Sequence, residues 1–176
     1  MHYYWPTLHA SDPSLWPFAA TVLAAAITAL VAVAIYVANL IERARDRKRE
    51  MCAHALADAL AWLELPYRIR RRTSDSPDTL TALAGRAHNL QEQLLLHSSW
   101  LRIELPKVAP LYDALLASVK SAAADPLTDA WRSPPVQDAG QMNTGPALPL
   151  LPANEVAAFC DSVRRSLALR PWSKGQ

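Results

Sequence analysis

The sequence predicts an all-α chain: a single transmembrane helix that continues into a small cytoplasmic helical bundle or hairpin. Three observations carry this. Positions 18–41 are 24 consecutive residues without a charged side chain. From 42 to 65 the chain has neither glycine nor proline and is dominated by Ala, Arg, Leu and Glu, all good helix formers. Between Leu80 and Leu101 apolar residues recur at alternating spacings of three and four. No strand pattern and no internal repeat is visible.

The composition narrows the classes further. Of 176 residues 51% are hydrophobic, and the apolar block alone excludes a simple soluble globule. The 135 residues that follow position 41 (176 minus 41) suffice for one modest domain. Only four glycines stand against fourteen prolines, and no two glycines lie close enough to build a phosphate-cradling loop. The net charge of +2 is too small to argue for nucleic acid. Its distribution says more: residues 42–72 carry nine basic and five acidic groups, a net of +4. Abundant Ala, Arg and Pro, all with GC-rich codons, point to a bacterial source. Cys52 and Cys160 are too far apart in sequence to read as a metal or disulfide framework.

The short external segment, 1–17, places Tyr3, Tyr4, Trp5 and Trp16 before the span, where amphipathic rings favour the membrane interface. The span itself, 18–41, would be roughly 36 Å long as a helix, against a hydrocarbon core of about 30 Å. Eleven of its residues are Phe, Val, Leu or Ile, worth roughly −3 to −7 kcal/mol toward insertion. A cleaved signal peptide would want a basic segment first and a shorter apolar run. Here Arg43, Arg45, Arg47, Lys48 and Arg49 follow the block instead. Basic flanks stay in the cytoplasm, so the amino terminus is expected outside and the C-terminal part inside the cell membrane. Ala20, Ala24, Thr28 and Ala32 form a row of small residues that could let two spans approach, although nine alanines in the block make such a row easy to obtain by chance.

The juxtamembrane helix, 42–65, shows an apolar face of Ala53, Leu56, Leu60 and Leu63 and is expected to end or kink near Pro66. A basic loop, 66–76, follows. Ser76-Pro77-Asp78 then reads as a helix start: a capping serine, a proline in the first turn and an acid at the positive dipole end. The helical hairpin, 77–132, begins with the seam Leu80, Leu83, Ala87, Leu90, Leu94, His97, Leu101, the heptad pattern of a coiled coil or bundle helix. Its second helix carries Val108, Leu111, Leu115, Val119 and Ala122 on one face. Residues 133–153 are a Pro/Gly-rich linker in which Leu148–Pro152 could dock as an extended segment. Asn154 reads as the cap of a C-terminal helix, 154–170, with Val156, Phe159, Cys160, Val163 and Leu167 on one side and a short tail, 171–176, beyond it.

Candidate chemistry is sparse. Arg68, Arg70, Arg71 and Arg72 form a patch for an anionic partner, lipid or nucleic acid, weighed against a solvated helix end whose cations suit the negative dipole. An upright helix would hold this patch several Debye lengths from the bilayer, which weakens the lipid version. Pairs such as Glu50–His54 and His88–Glu92 share helix faces, but the chain has no Glu-x-x-His, so no metal site and no cofactor is expected. His97-Ser98-Ser99-Trp100 places possible nucleophiles beside a base, yet successive helical residues point apart. His97 at a seam position is expected to be a buried histidine with one satisfied nitrogen, and Trp62, Trp100 and Trp131 to be packing residues.

The function expected is that of a single-pass membrane-anchored interaction protein (adaptor, tether or scaffold) without catalytic activity. Its contact surface is placed on the seam Leu80, Leu83, Leu90, Leu94, Leu101, facing a protein partner or a second copy. Should the seam be used inside the bundle, the contact lies elsewhere. The alternatives are a basic tether acting through residues 68–72 and an enzyme whose site the sequence does not display. Nucleic acid is a weak candidate, and no small-molecule substrate is evident.

Overall fold

The computed structural model describes residues 16–138, 140 and 152–168. It is all-helical, with four helices and no strand among the described residues: α1 (Trp16–Arg70), α2 (Pro77–Glu104), α3 (Ala109–Arg132) and α4 (Ala153–Leu167). The aromatics Tyr3, Tyr4 and Trp5, most of the linker with Leu148–Leu151, and the tail all fall outside these residues, as does the side chain of Trp16. The chain divides between Ala44 and Arg45 into two compact units.

The first unit contains the apolar part of α1. None of its 18-residue hydrophobic window is buried, and the helix is long and apolar enough to cross a membrane. Phe18 and Leu30 are each at least 70% exposed. Hydrocarbon is the solvent in which such a surface is stable, because a helix satisfies its backbone groups internally. Ala20, Ala24, Thr28 and Ala32 are all exposed on it. The Thr28 hydroxyl donates to the Ala24 carbonyl at 2.9 Å, which removes its need for another partner.

The second unit is an up-down-up-down helical bundle whose register can be read from its polar contacts. Lys48 on α1 lies 3.0 Å from Glu104 at the end of α2, and Asp58 lies 2.9 Å from His97, so α2 runs antiparallel to α1. The Ser98 hydroxyl donates to Asp113 across a four-residue link, which returns the chain along α3. Ser118 donates to Glu155 at 3.3 Å, and the Tyr112 and Phe159 rings meet at 5.6 Å, so α4 descends beside α3.

Helix α1 continues one turn beyond the expected break. Pro66 is inside it, and the chain is helical to Arg70, because Leu65, Pro66 and Ile69 are buried in the bundle. Their packing outweighs the roughly 3 kcal/mol that an internal proline costs. The buried face of α1 also differs from the sequence expectation. Ala53 is exposed and Leu63 is buried as expected, while Cys52, Ala55, Ala59, Trp62, Pro66 and Ile69 form a buried row at alternating spacings of three and four. Alanine at this seam lets neighbouring helices come close: the Tyr112 hydroxyl, itself fully buried, donates to the Ala55 carbonyl at 3.3 Å.

In α2 the Ser76 side chain accepts from the Thr79 amide, with Pro77 in the first turn and Asp78 beside the dipole. Its buried residues are Leu90, Leu94, His97, Ser98 and Leu101, whereas Leu80 and Leu83 are only half-buried. On α3 the interior is filled by Tyr112, Leu115, Val119 and Ala123. Helix α4 begins one residue before the expected cap: Pro152 holds the cap position without a side-chain bond, and Asn154 lies inside the helix. Trp62 is buried and Trp100 half-buried, but Trp131 is 36% exposed.

Candidate functional site

The basic run does not form one surface. Arg68 and Arg71 are exposed, and Arg70 is half-buried in the last turn of α1. Glu64 stands 3.7 Å from Arg68, while Arg71 lies over the Tyr67 ring with its guanidinium carbon 5.9 Å from the centroid. Arg72 is the exception to the solvated patch: it is buried, and its guanidinium is held by the protein. Its Nη1 donates to the carbonyls of Ile69 at 3.0 Å and Ala130 at 2.9 Å. Its Nη2 donates to Ser133 and its Nε to Asp75 at 2.5 Å. Arg72 therefore ties the end of α1 to the end of α3, with four of its five N–H donors directed at the protein itself.

The histidine and serines of α2 are divided among different helices. His97 Nε2 pairs with Asp58 of α1, and its Nδ1 is buried without a hydrogen-bond partner. Ser98 bonds Asp113 of α3 at 2.7 Å, and Ser99 points outward. A histidine and a serine committed to separate carboxylates do not make a nucleophile–base pair. Among the described residues no group of three or more His, Cys, Asp or Glu is placed to hold a metal ion.

Asp113 is the polar clamp of the α2–α3 hairpin. Burial works against its charged form, but hydrogen bonds from Ser98 and Arg102 and the Arg102 charge outweigh this and hold its pKa below the usual carboxylate value. A carboxyl whose folded pKa is depressed adds stability above its unfolded pKa of about 3.9 and loses it as pH falls through the folded value. Thermal melts should show stability falling below about pH 4, with a smaller fall in Asp113→Asn.

An apolar groove of about 450 Å³ lies between α1 and α4. Cys52, Leu56, Phe159, Cys160 and Val163 line it, and Arg49 and Arg164 stand at its edge. Each arginine is already paired along its own helix, with Asp46 and Asp161 respectively, at 3.0 Å. Burial, with Cys160 adding to it, pushes the Cys52 thiol up to about 11. The thiolate is the reactive form. With a neutral aqueous thiol reagent at pH 8, Cys160 should react first and Cys52 only after denaturation; equal rates would contradict the burial.

The most distinctive surface is the outer side of α2. At 100° per residue, Glu92, Leu95, Leu96, Ser99 and Ile103 lie opposite the buried set Leu90, Leu94, His97, Leu101. All five are exposed, Leu95 to 63%, Leu96 to 55% and Ile103 to 78%. The sequence pattern hides this face because Leu94-Leu95-Leu96 points in three directions and only Leu94 fits the seam. The signal was nevertheless present: Leu96 and Ile103 are seven apart and therefore one above the other on the helix. No protein-family model, no curated protein and no solved structure matches this chain.

Proposed function

We propose that this chain is a single-pass membrane-anchored helical interaction protein that offers the outer face of α2 to a protein partner. One observation carries the reading: Leu95, Leu96 and Ile103 are exposed while Leu90, Leu94 and Leu101 fill the interior, so the bundle is complete without that face. Contiguous exposed apolar residues rimmed by polar ones mark contact sites. Of the seam leucines, Leu90, Leu94 and Leu101 are buried in the bundle, so the contact is assigned to the opposite side of the same helix.

In this reading the amino terminus is outside and the bundle cytoplasmic, following the basic residues Arg43 to Arg49 that succeed the apolar block. The protein is a tether or scaffold with no chemistry of its own. Engagement of Arg72 by the fold, and of Arg68 by Glu64, leaves the basic-tether alternative with less to work with.

The test is crosslinking in native membranes, purification of the full-length protein and mass spectrometry, comparing wild type with Leu96→Asp/Ile103→Asp. The expected result is a stoichiometric crosslink, to another protein or to a second copy, that the double variant loses while keeping its melting temperature. Identical crosslinks in both would remove α2 from the account.

A further inference from the structure

We propose that a cationic cleft at the Arg45 end of the bundle binds the phosphate headgroup of an anionic phospholipid. This rests on the reading of the apolar block as a membrane anchor and is independent of the outer face of α2. The Lys48–Glu104 pair sets the end of α2 level with the start of the bundle. Helix α4 runs toward the same end, where its last turn, carrying Arg165 and Ser166, closes the cleft against the link between α2 and α3. The cleft encloses about 640 Å³, well within the roughly 300–1,000 Å³ of small-molecule sites.

Three elements far apart in sequence each bring one cation to it: Arg45 from α1, Lys107 from the link and Arg165 from α4. Among the described residues none of the three has an ion pair. The carboxylate in the wall, Glu104, is held 3.0 Å from Lys48. Helix ends do not cancel the remaining charge. With α2 and α4 ending there and α3 beginning, three cations are left with a net of about +2.5, because each helix end carries only about half an elementary charge. An oxyanion between them turns that repulsion into attraction.

Ser162 is a second and independent sign. It lines the same cleft and is only 7% exposed, and its hydroxyl has no hydrogen-bond partner among the described residues. It is not sealed in as His97 Nδ1 is. Buried hydroxyls normally find a partner, and this one has an O–H to give to an anion in the cleft. Two guanidinium forks, an ammonium and a hydroxyl are the donor set that a phosphate group takes.

Position selects a lipid over a soluble phosphate. Arg45 follows Ile41, the last residue of the apolar block, by four positions (45 minus 41), about 6 Å of helix. That is within the Debye length of about 8 Å at physiological salt, so headgroup charge is felt there as it is not at residues 68–72. The cytoplasmic leaflet, on whose side the basic flank places the bundle, is the one that carries anionic lipid.

The experiment supplies full-length protein in detergent with equal amounts of phosphatidylglycerol and phosphatidylcholine of the same acyl chains and counts the lipid retained by native mass spectrometry. The expected result is a roughly tenfold preference for phosphatidylglycerol. Lys107→Gln/Arg165→Gln, at two exposed positions, should lose the preference while melting as wild type does. Arg43→Gln/Arg47→Gln removes equal charge from outside the cleft and should leave the preference within about twofold. Ser162→Ala should lower it without abolishing it. Equal retention of the two lipids, or equal loss in both double variants, overturns the cleft as a site. Displacement of phosphatidylglycerol by an equal concentration of inorganic phosphate overturns the lipid as its occupant and leaves a soluble phosphate. Alkaline carbonate extraction of vesicles carrying the full-length protein separates the two readings. Release of the chain overturns the anchor and the lipid site with it, whereas a retained chain without lipid preference overturns the cleft alone.

Discussion

Leu94→Asp is expected to unfold the bundle, whereas Leu96→Asp, two residues along the same helix, is expected to leave it folded and to remove the proposed contact surface. Leu94 is 0% exposed, between α2 and its neighbours. Truncating a buried leucine costs about 2–5 kcal/mol before any charge is considered. A carboxylate in its place has no buried partner and adds several kcal/mol more. Together these approach the roughly 5–15 kcal/mol that a domain of this size has in total. Leu96 is 55% exposed, and substitutions at such positions usually change stability by about 0.5 kcal/mol or less. Circular dichroism melts of the two variants should diverge completely, one without a cooperative transition and the other superimposable on wild type. A Leu94→Asp protein that melts normally would mean that the interior of α2 is wrongly placed.

Arg72→Ala should be the most damaging change among the four arginines of the basic run, and for a reason unrelated to binding. Helices α1 and α3 run parallel, so their carboxy-terminal ends, each with unpaired carbonyls and a partial negative charge, lie side by side. The buried Arg72 guanidinium answers both ends at once through Ile69, Ala130 and Ser133. The Val136 amide closes the same corner by donating to the Arg72 carbonyl at 2.8 Å. Each buried carbonyl left without its partner costs about 1–3 kcal/mol, and Arg72→Ala takes the guanidinium donor from those of Ile69 and Ala130 together. For a bundle of this length that corresponds to a drop in Tm of about 10 °C or more. Arg72→Lys should recover only part of this, because three donors on a flexible stem cannot reproduce a planar fork. Arg68→Ala and Arg71→Ala should melt within about 2 °C of wild type, as exposed positions do. Any study of the run as an anion-binding patch therefore has to spare Arg72.

The contrast between Leu94 and Arg72 shows what could be read in advance. The apolar helix was legible because 24 uncharged residues in a row, without glycine or proline, favour one unbroken helix. The α2 interior was legible because Leu90, Leu94 and Leu101 repeat at helical spacing and leucine is unambiguous. His97 was legible in kind, as a buried histidine with one satisfied nitrogen. Its partner was not, because Asp58 is 39 residues away and nothing local points to it. On the buried face of α1 Leu63 was placed correctly, but the rest was misassigned because Cys52, Ala55 and Ala59 carry little hydrophobic weight. Leu56 and Leu60, which do, are only half-buried beside them. Arg72 was misread because four clustered arginines resemble a solvated patch until the ends of two distant helices are known to meet there. The outer α2 face was missed for a related reason: an apolar residue that fits no periodic core looks like noise, and only the finished bundle shows Leu95, Leu96 and Ile103 left over.

The central claim is that the outer face of α2 is covered in the native membrane. Maleimide labelling of Ser99→Cys tests it most directly, comparing the full-length protein in native membranes with the same protein purified and diluted in detergent. The account predicts slow labelling in the membrane and fast labelling after dilution, with Lys120→Cys reacting at the same rate in both. Equal rates for Ser99→Cys in the two conditions would show that nothing covers that face, and the contact surface proposed here would not exist.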